Sequence, residues 1–202
     1  MVKRGGLRGV LLLGPPAGGK STITQALHDL DPRFVLLRVL RVGVERGEEY
    51  HVITEDQLQV LRAAGRIILE TRNGDRGYAI DAHPIDHMTT AELIPVVHVA
   101  NCADLRSLTS WADWLSVLLW VPREVCEQRA RRRGDPDVAE TLKAWEEAAA
   151  DIAEHECDGL FHLRLTTSRM TIEEAAGQIA DAFTVLGRSP SREGIAGQRP
   201  TA

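Results

Sequence analysis

The sequence predicts an α/β fold in which helices cover both faces of a parallel β-sheet, a three-layer α/β/α arrangement. Short apolar runs typical of buried strands alternate with longer segments of helical periodicity along most of the 202 residues. The first of these runs, residues 10–13, is followed directly by a glycine-rich loop and a helical pattern. Strands that are joined through helices form a parallel sheet, which must be covered on both faces.

The glycine-rich loop, residues 14–22, reads GPPAGGKST and fits the phosphate-binding pattern G-x-x-x-x-G-K-[ST], known as the P-loop. Such a loop turns backbone N–H groups toward an anion, and the following helix directs its positive dipole end to the same point. We expect Lys20 to act catalytically on the β- and γ-phosphates of ATP, and Ser21 to hold Mg²⁺. The predicted phosphate-binding residues are Gly14, Ala17, Gly18, Gly19, Lys20, Ser21 and Thr22.

Composition limits the classes of partner. The chain has 24 basic and 29 acidic residues and a net charge of −5, which argues against nucleic acid as a partner. No apolar run approaches the length of a transmembrane helix, so no membrane partner is expected. The three cysteines form no C-x-x-C pair, which suits a reducing compartment. We therefore expect a cytoplasmic protein.

Periodicity and turn signals place the remaining elements. Strands are predicted at residues 7–13, 34–40, 50–53, 67–69, 78–80, 95–100, 117–121 and 160–165. Helices are predicted at residues 21–30, 54–65, 104–112, 122–133, 137–155 and 171–186, with a helical turn at 90–94. Capping boxes at Thr54–Gln57 and Thr171–Glu174 mark the start of two of these helices. Pro84 favours a loop over a helix at residues 83–87.

Together these elements predict one domain over residues 1–186. Within it, residues 37–82 form a small strand-rich insertion, and residues 129–143 form a short helical lid. Residues 187–202 are rich in Gly, Ser, Pro and charge, and we expect this tail to be disordered.

Three stretches beyond the loop resemble the guanylate kinase family. Residues 38–51, RVLRVGVERGEEYH, are similar to that family's pattern R-x-x-R-x-G-E-x-x-G-x-D-Y. Residues 65–78 resemble the hairpin that follows it, and residues 119–134 resemble its strand, helix and entry to the lid. The resemblance covers residues 7 to 186 and implies a kinase that moves the γ-phosphoryl group of ATP to the phosphate of a small phosphorylated acceptor, such as a nucleoside monophosphate or a phosphosugar.

The resemblance also implies which residues hold the acceptor. Arg38, Arg41, Tyr50 and Tyr78 match the residues that grip the acceptor phosphate, and two guanidinium groups with two phenols suit a phosphomonoester. Glu70 is the one candidate for the family's guanine-binding carboxylate, and it aligns only if one residue is inserted. The alternative is that the arginines and tyrosines are ordinary residues at strand ends.

Other positions depart from the family pattern. Apolar residues replace groups that would read guanine, which predicts an acceptor pocket with little preference among bases; they are Leu36, Leu37, Ile80 and Ala100. A ribose bisphosphate kinase of phosphonate metabolism, which shares the scaffold, is therefore an alternative.

Two further departures concern catalysis. The strand ending at Ala100 lacks an aspartate for Mg²⁺, and the nearest substitutes are Asn101, Asp104 and Asp81. In the lid, Arg129 and Arg133 match catalytic arginines of the family, whereas Thr141 stands where a further arginine is expected. Arg131, Arg132 and Lys143 are the candidates to compensate. A non-catalytic nucleotide-binding module is the alternative from another functional class.

Overall fold

The computed structural model describes residues 4–43, 50–73, 76–155 and 159–188. In chain order its elements are β1 (Arg4–Leu13), α1 (Lys20–Leu30), β2 (Phe34–Leu36), β3 (Val39–Val42), β4 (Tyr50–Ile53), α2 (Glu55–Ala63), β5 (Ile67–Asn73), β6 (Arg76–Asp81), α3 (Ala82–Thr90), β7 (Ile94–Val99), α4 (Cys102–Trp111), β8 (Ala112–Trp120), α5 (Arg123–Arg133), α6 (Val138–Glu154), β9 (Leu163–Thr166) and α7 (Ile172–Arg188). Five strands form a parallel sheet in the order β2-β7-β1-β8-β9. The predicted α/β class with a parallel sheet is confirmed.

Helices cover this sheet on both faces, as alternation along the central strand requires. Val10 and Leu12 of β1 pack in one apolar cluster with residues of α1 and α7. Leu11 and Leu13 pack in a second cluster with residues of α3 and α4. All four side chains are at most 1% exposed, so β1 lies at the centre of the core and fixes the position of the loop that follows it.

A second, four-stranded sheet lies between β2 and β7 in the chain, in the order β4-β3-β6-β5. One of its faces packs on α2 through Leu40, Ile53, Leu58 and Ala79. The predicted capping box opens α2, because Thr54 and Gln57 exchange side-chain and backbone hydrogen bonds. The other face is turned toward the candidate site described below.

The single strand predicted at residues 34–40 is wrong, because the structure divides it into β2 and β3, which belong to different sheets. The Leu37 backbone N–H still bonds to Val96 O of β7 at 2.8 Å, and the chain enters the second sheet at Val39. Both strands contribute buried residues, and the exposed Arg38 between them is the one charged side chain in the run.

The predicted loop at residues 83–87 is also wrong, since this segment belongs to α3. Asp81 caps this helix by accepting a hydrogen bond from His83 N, and Pro84 lies in its first turn, where no intrahelical N–H bond is lost. The helical turn predicted at 90–94 is instead the end of α3 and the start of β7.

The ends of some elements also differ from prediction. Strand β8 begins at Ala112, well before the predicted residue 117, and β9 begins at Leu163 and not at residue 160. Helix α7 continues to Arg188, so the first two residues of the predicted tail are helical, and residues 189–202 lie outside the described residues. None of the described helices combines the length and the apolar character needed to cross a membrane.

Candidate active site

The loop between β1 and α1 has the backbone geometry of an anion site. Ala17 and Gly19 both have positive φ, at 56° and 97°, and Gly19 precedes α1 without any side-chain cap on the helix N-terminus. A Cβ atom on Gly14 would lie 2.3 Å from Leu119 O, and one on Gly18 would lie 2.9 Å from Pro15 O. Glycine is therefore required where the loop meets β8, and the uncapped N–H groups of α1 are available to an anion.

A cavity of about 590 Å³ opens over this loop. It is lined by four cationic side chains, and none of the described residues that line it is acidic; the cations are Lys20, Arg129, Arg132 and Arg133. Lys20 Nζ donates to Gly14 O at 2.6 Å and to Pro15 O at 3.2 Å, which holds its ammonium group across the loop. Ser21 and Thr22 line the same cavity at the start of α1. The charge and shape of this cavity fit a polyphosphate.

The arginines of α5 differ in what they contact. Arg129 donates to Ala17 O at 2.8 Å, and to Thr167 Oγ1 and O at 3.0 and 2.8 Å, so it ties the loop to the segment after β9. Burial lowers the pKa of Arg129 from its ordinary value. Arg131, the next candidate, pairs with Glu127 on the outer side of α5 and does not line the cavity.

Two further arginines reach the cavity from the end of α5. Arg133 forms an ion pair with Asp135, which also accepts a hydrogen bond from Thr141 at 3.1 Å. The pKa of Arg133 is raised, chiefly by the hydrogen bond to Asp135. Arg132 is exposed and makes no ion pair with any residue that the structure describes. Sequence reasoning mentioned Arg132 only as one of several substitutes, because the run Arg131 to Arg133 does not reveal which side chain faces the loop.

Arg41 forms the centre of the second candidate site, in the insertion. Its side chain is 6% exposed, and its guanidinium carbon lies 5.4 Å from the centre of the Tyr50 ring and 5.8 Å from that of Tyr78. The two rings are 5.6 Å apart, and Arg41 and Tyr78 are direct partners across β3 and β6. Arg41 Nε is buried without a hydrogen-bond partner. Arg38 lies exposed between β2 and β3.

A cavity of about 220 Å³ adjoins this cluster. We call it the acceptor cavity, because the family resemblance implies that the acceptor binds beside Arg41. Aliphatic side chains form much of its wall, namely Val39, Leu69, Ile80, Val99 and Leu108. Its polar wall is formed by Tyr50, Thr71, Tyr78, His98 and Asp104. Ile80 and Ala100 line it as expected, whereas Leu36 and Leu37 do not, because Leu36 lies in β2 and Leu37 packs in the core.

Glu70 does not lie where the family resemblance required. A register irregularity between Ile67 and Leu69 turns Leu69 toward the cavity and Glu70 toward α2. There the Glu70 carboxylate accepts two hydrogen bonds from Arg62, at 2.8 and 3.1 Å, and this contact lowers its pKa. The expectation that Glu70 contacts the acceptor is corrected: its carboxylate is bound on the opposite face of the sheet.

Asp104, which the sequence suggested only as a metal ligand, lies in the acceptor cavity and not in the P-loop cavity. Asp104 is 8% exposed, and its carboxylate accepts hydrogen bonds from Thr71 Oγ1 at 2.8 Å and Asn101 Nδ2 at 3.2 Å. Burial raises the pKa of this carboxyl group. A signal was present in the sequence, since Asp104 falls in the first turn of a helix directly after a parallel strand, where ligands of α/β sheets commonly bind.

His98 of β7 connects the two cavities. Its Nε2 lies 2.9 Å from Thr24 Oγ1, and that hydroxyl donates to Lys20 O at 2.9 Å. Because the Thr24 hydrogen is used by Lys20 O, the Thr24 oxygen accepts from Nε2–H of His98. The acceptor cavity is thus linked by hydrogen bonds to the first turn of α1, where the P-loop ends.

Of the residues proposed as Mg²⁺ ligands, Ser21 is the one that lines the P-loop cavity. Ser21 offers a hydroxyl in the P-loop cavity. Asp81 is occupied by a two-bond ion pair with Arg66, and Asn101 caps α4. Mg²⁺ commonly keeps several waters and takes few protein ligands, so a single hydroxyl beside phosphate oxygens is compatible with its chemistry.

Three other side chains lie close enough to suggest a metal site, because ligand atoms of Cys102, Asp151 and His155 are within 4.8 Å of one another. Hydrogen bonds explain this arrangement. Asp151 accepts from Cys102 N at 2.8 Å at the start of α4, and His155 Nδ1 bonds to Asp151 O at 2.8 Å. We assign the cluster to the packing of α4 on α6.

Known proteins resemble this chain in sequence and in fold. No family model matches the sequence. A guanylate kinase of Mycobacterium sp. (strain MCS) is 32% identical over 146 residues, which cover 67% of this chain and 73% of that protein.

Solved structures resemble the chain in fold. The crystal structure of guanylate kinase from Anaplasma phagocytophilum matches with a TM-score of 0.56 and 14% identity, over 92% of this chain and 89% of that one. Shikimate kinase from Acinetobacter baumannii in complex with shikimate gives a TM-score of 0.48 and 15% identity, over 90% and 96% of the two chains. With its P-loop, parallel sheet and relative of 32% identity, the chain belongs to the guanylate kinase-like family of P-loop kinases.

Proposed function

We propose that the protein is an ATP-dependent phosphotransferase that moves the γ-phosphoryl group of ATP to the phosphate of a small phosphorylated acceptor. One observation carries the acceptor half of this proposal: Arg41 is buried beside the rings of Tyr50 and Tyr78, and its Nε has no hydrogen-bond partner among the described residues. A buried guanidinium in this state is costly unless an anion binds it. A phosphomonoester supplies the charge and the acceptor oxygens.

The P-loop cavity supplies the donor half. Backbone N–H groups at the start of α1 and the ammonium group of Lys20 bind the phosphates of ATP. Mg²⁺ bound with the nucleotide would be held on this chain by the Ser21 hydroxyl, and it would neutralise phosphate charge there. Phosphoryl transfer needs mainly positioning and charge neutralisation, both of which this set of residues provides.

The acceptor phosphate is oriented by the insertion. Arg41, Tyr50 and Tyr78 bind its oxygens, and Arg38 adds a second guanidinium from the exposed side. One oxygen of this phosphate attacks the γ-phosphorus, the bond from that phosphorus to the bridging oxygen breaks, and ADP leaves. The link from His98 to Thr24 keeps the acceptor cavity at a fixed distance from the first turn of α1.

The segment 129–143 acts as the lid in this proposal. Arg129 holds the loop backbone through Ala17 O, and Arg132 provides charge for the transferring group. Arg133 contributes less than the family resemblance implied, because Asp135 already neutralises it. The same α5 helix thus supplies one arginine for structure and one for charge.

A nucleotide-binding module without catalysis is the second candidate. It is favoured by the absence of a carboxylate among the described residues that line the P-loop cavity. A coupled assay of ADP release over nucleoside monophosphates and phosphosugars separates the two. The kinase proposal predicts acceptor-dependent release with at least one compound and none with Lys20→Ala. ADP release that no acceptor stimulates contradicts it.

A further inference from the structure

The acceptor cavity ends in a buried carboxylate, and this feature points to what the acceptor carries beyond its phosphate. We infer that Asp104, positioned by Thr71, determines acceptor specificity by accepting hydrogen bonds from the N–H edge of a planar ring. The inference rests on the proposed function for the place of the acceptor phosphate, next to Arg41. It assigns the reading of the acceptor to α4, and not to Glu70 of β5.

The carboxylate is held for such a contact. Asp104 Oδ1 accepts from Thr71, Oδ2 accepts from Asn101, and each oxygen keeps a further lone pair. Neither Arg nor Lys among the described residues forms an ion pair with it, and the nearest other charge that acts on it is the like charge of Asp151. A buried carboxylate with only two neutral donors lies on the wall of a cavity. Such groups are typical of binding sites.

Capping of α4 does not account for this carboxylate. The helix is capped by the side chain of Asn101, which accepts from Asp104 N at 2.8 Å. That bond uses the Asp104 backbone, and at the helix end the carboxylate is engaged only through Oδ2, which accepts from Asn101 Nδ2. A second cap comes from Asp151, which accepts from Cys102 N. Capping does not explain the bond from Thr71 to Oδ1 or the position of the carboxylate on the cavity wall, and a ligand contact explains both.

The rest of the cavity favours a planar ring over a sugar. Val39, Leu69, Ile80 and Leu108 offer no hydrogen-bond partner, so any sugar hydroxyl group that faces them instead of the polar wall would be buried unsatisfied, which is costly. The faces of a nucleobase pack well on aliphatic walls, while its edge needs hydrogen bonds. At about 220 Å³ the cavity is smaller than ordinary ligand sites of about 300–1,000 Å³, so it holds one ring and not a larger body.

Equilibrium binding tests this inference without requiring turnover. Calorimetric titration of the full chain would use GMP against IMP, which differ only in an exocyclic amine, and CMP against UMP, in which a carbonyl replaces the amine and N3 gains a proton. Ribose 5-phosphate is the probe without a base. We expect the amine-bearing member of at least one pair to bind about 10- to 100-fold more tightly, as one hydrogen bond to a charged group allows. In Asp104→Asn this ratio should fall to about 2 or less, and in Thr71→Val it should fall partly.

Asp151→Asn is the matched control, since Asp151 also bonds to the start of α4 but does not line the cavity. It should keep the wild-type ratios, whereas a change equal to that of Asp104→Asn would show an effect through the helix end and overturn the inference. Equal affinities within both pairs, a preference that persists in Asp104→Asn, or ribose 5-phosphate binding as tightly as the best nucleotide would also overturn it. Transfer of phosphate from ATP is measured separately, so a selective but inactive protein would contradict the proposed function and leave this inference supported.

Discussion

The P-loop cavity and the acceptor cavity are built in different ways. Half of the described residues that line the P-loop cavity belong to one contiguous segment, residues 16–23, and the others come from α5 and from residues 167–175. The acceptor cavity takes residues from β3, β4, β5, β6, β7 and α4, so the phase of each strand decides which side chains enter it. The charged side chains among the described residues that line the first cavity are all cationic, whereas the second cavity has an aliphatic wall and a polar wall with a buried carboxylate. A phosphate site can therefore be predicted from local sequence. The residues that line a cavity assembled from several strands depend on tertiary structure.

The largest expected effect is on the P-loop side. Lys20→Ala should lower kcat by at least about 100-fold, because the lysine stabilises charge on phosphate oxygens and contributes little to the core. Steady-state kinetics would measure the effect. Circular dichroism and thermal melting should match wild type, and turnover near the wild-type value would contradict the assignment.

A second prediction concerns the acceptor phosphate. Arg41→Lys should weaken binding of all phosphorylated acceptors by a similar factor of about 10 to 100, since an ammonium cannot reproduce the planar group beside the two tyrosine rings. Titration with several acceptors measures it. Arg62→Lys, an arginine on the opposite face of the same sheet, is the control and should leave acceptor affinity unchanged. A loss of affinity confined to one acceptor would show that Arg41 contacts the part of that acceptor beyond its phosphate.

Neighbouring arginines of α5 provide a third, smaller comparison. Arg132→Ala should lower kcat about 10-fold or more with little change in acceptor KM, because its charge is used while the phosphoryl group is transferred. Arg131→Ala should leave kcat within about 2-fold, since a surface pair with Glu127 is all that it loses. Arg133→Ala should lie between them. Equal decreases of kcat in Arg131→Ala and Arg132→Ala would contradict the proposed role of Arg132 in phosphoryl transfer.

The smallest effect is on stability, and two carboxylates should show it with opposite signs. Because the folded-state pKa of Asp104 is raised, its contribution to the free energy of unfolding is greatest below the ordinary aspartate pKa and is lost as pH rises. Glu70 has a lowered pKa, so its contribution is present at neutral pH and is lost as pH falls. Chemical denaturation from pH 3 to pH 7 should therefore show Asp104→Asn gaining stability relative to wild type as pH rises, while Glu70→Gln loses it. The same sign for both variants would contradict the assigned environments.

Particular residues show how far sequence reasoning reached. The P-loop, the capping boxes at Thr54 and Thr171, and the alternation of strands and helices are local signals, and the structure contains all of them. The split between β2 and β3 was missed because an apolar run carries no mark of a change of sheet. Pro84 misled because proline breaks helices in their interior but not in their first turn.

The acceptor side could be predicted only in part, for a related reason. Arg41, Tyr50 and Tyr78 are brought together as expected, because they recur at family spacing in paired strands. Glu70 was misplaced, since the irregularity after Ile67 reverses which face it occupies, and alternation alone does not reveal such a bulge. The contact of Asp104 with Thr71 joins residues 33 positions apart, which no local pattern predicts.

We propose that the P-loop cavity and the acceptor cavity act together to transfer a phosphoryl group. Incubation of the full chain with ATP labelled on the γ-phosphate and each phosphorylated acceptor, followed by separation of the labelled products, tests it most directly. We expect a labelled diphosphate of at least one acceptor, formed by wild type and lost in both Lys20→Ala and Arg41→Ala. Labelled inorganic phosphate alone, or no product while ATP still binds, would contradict it and identify a nucleotide-binding module.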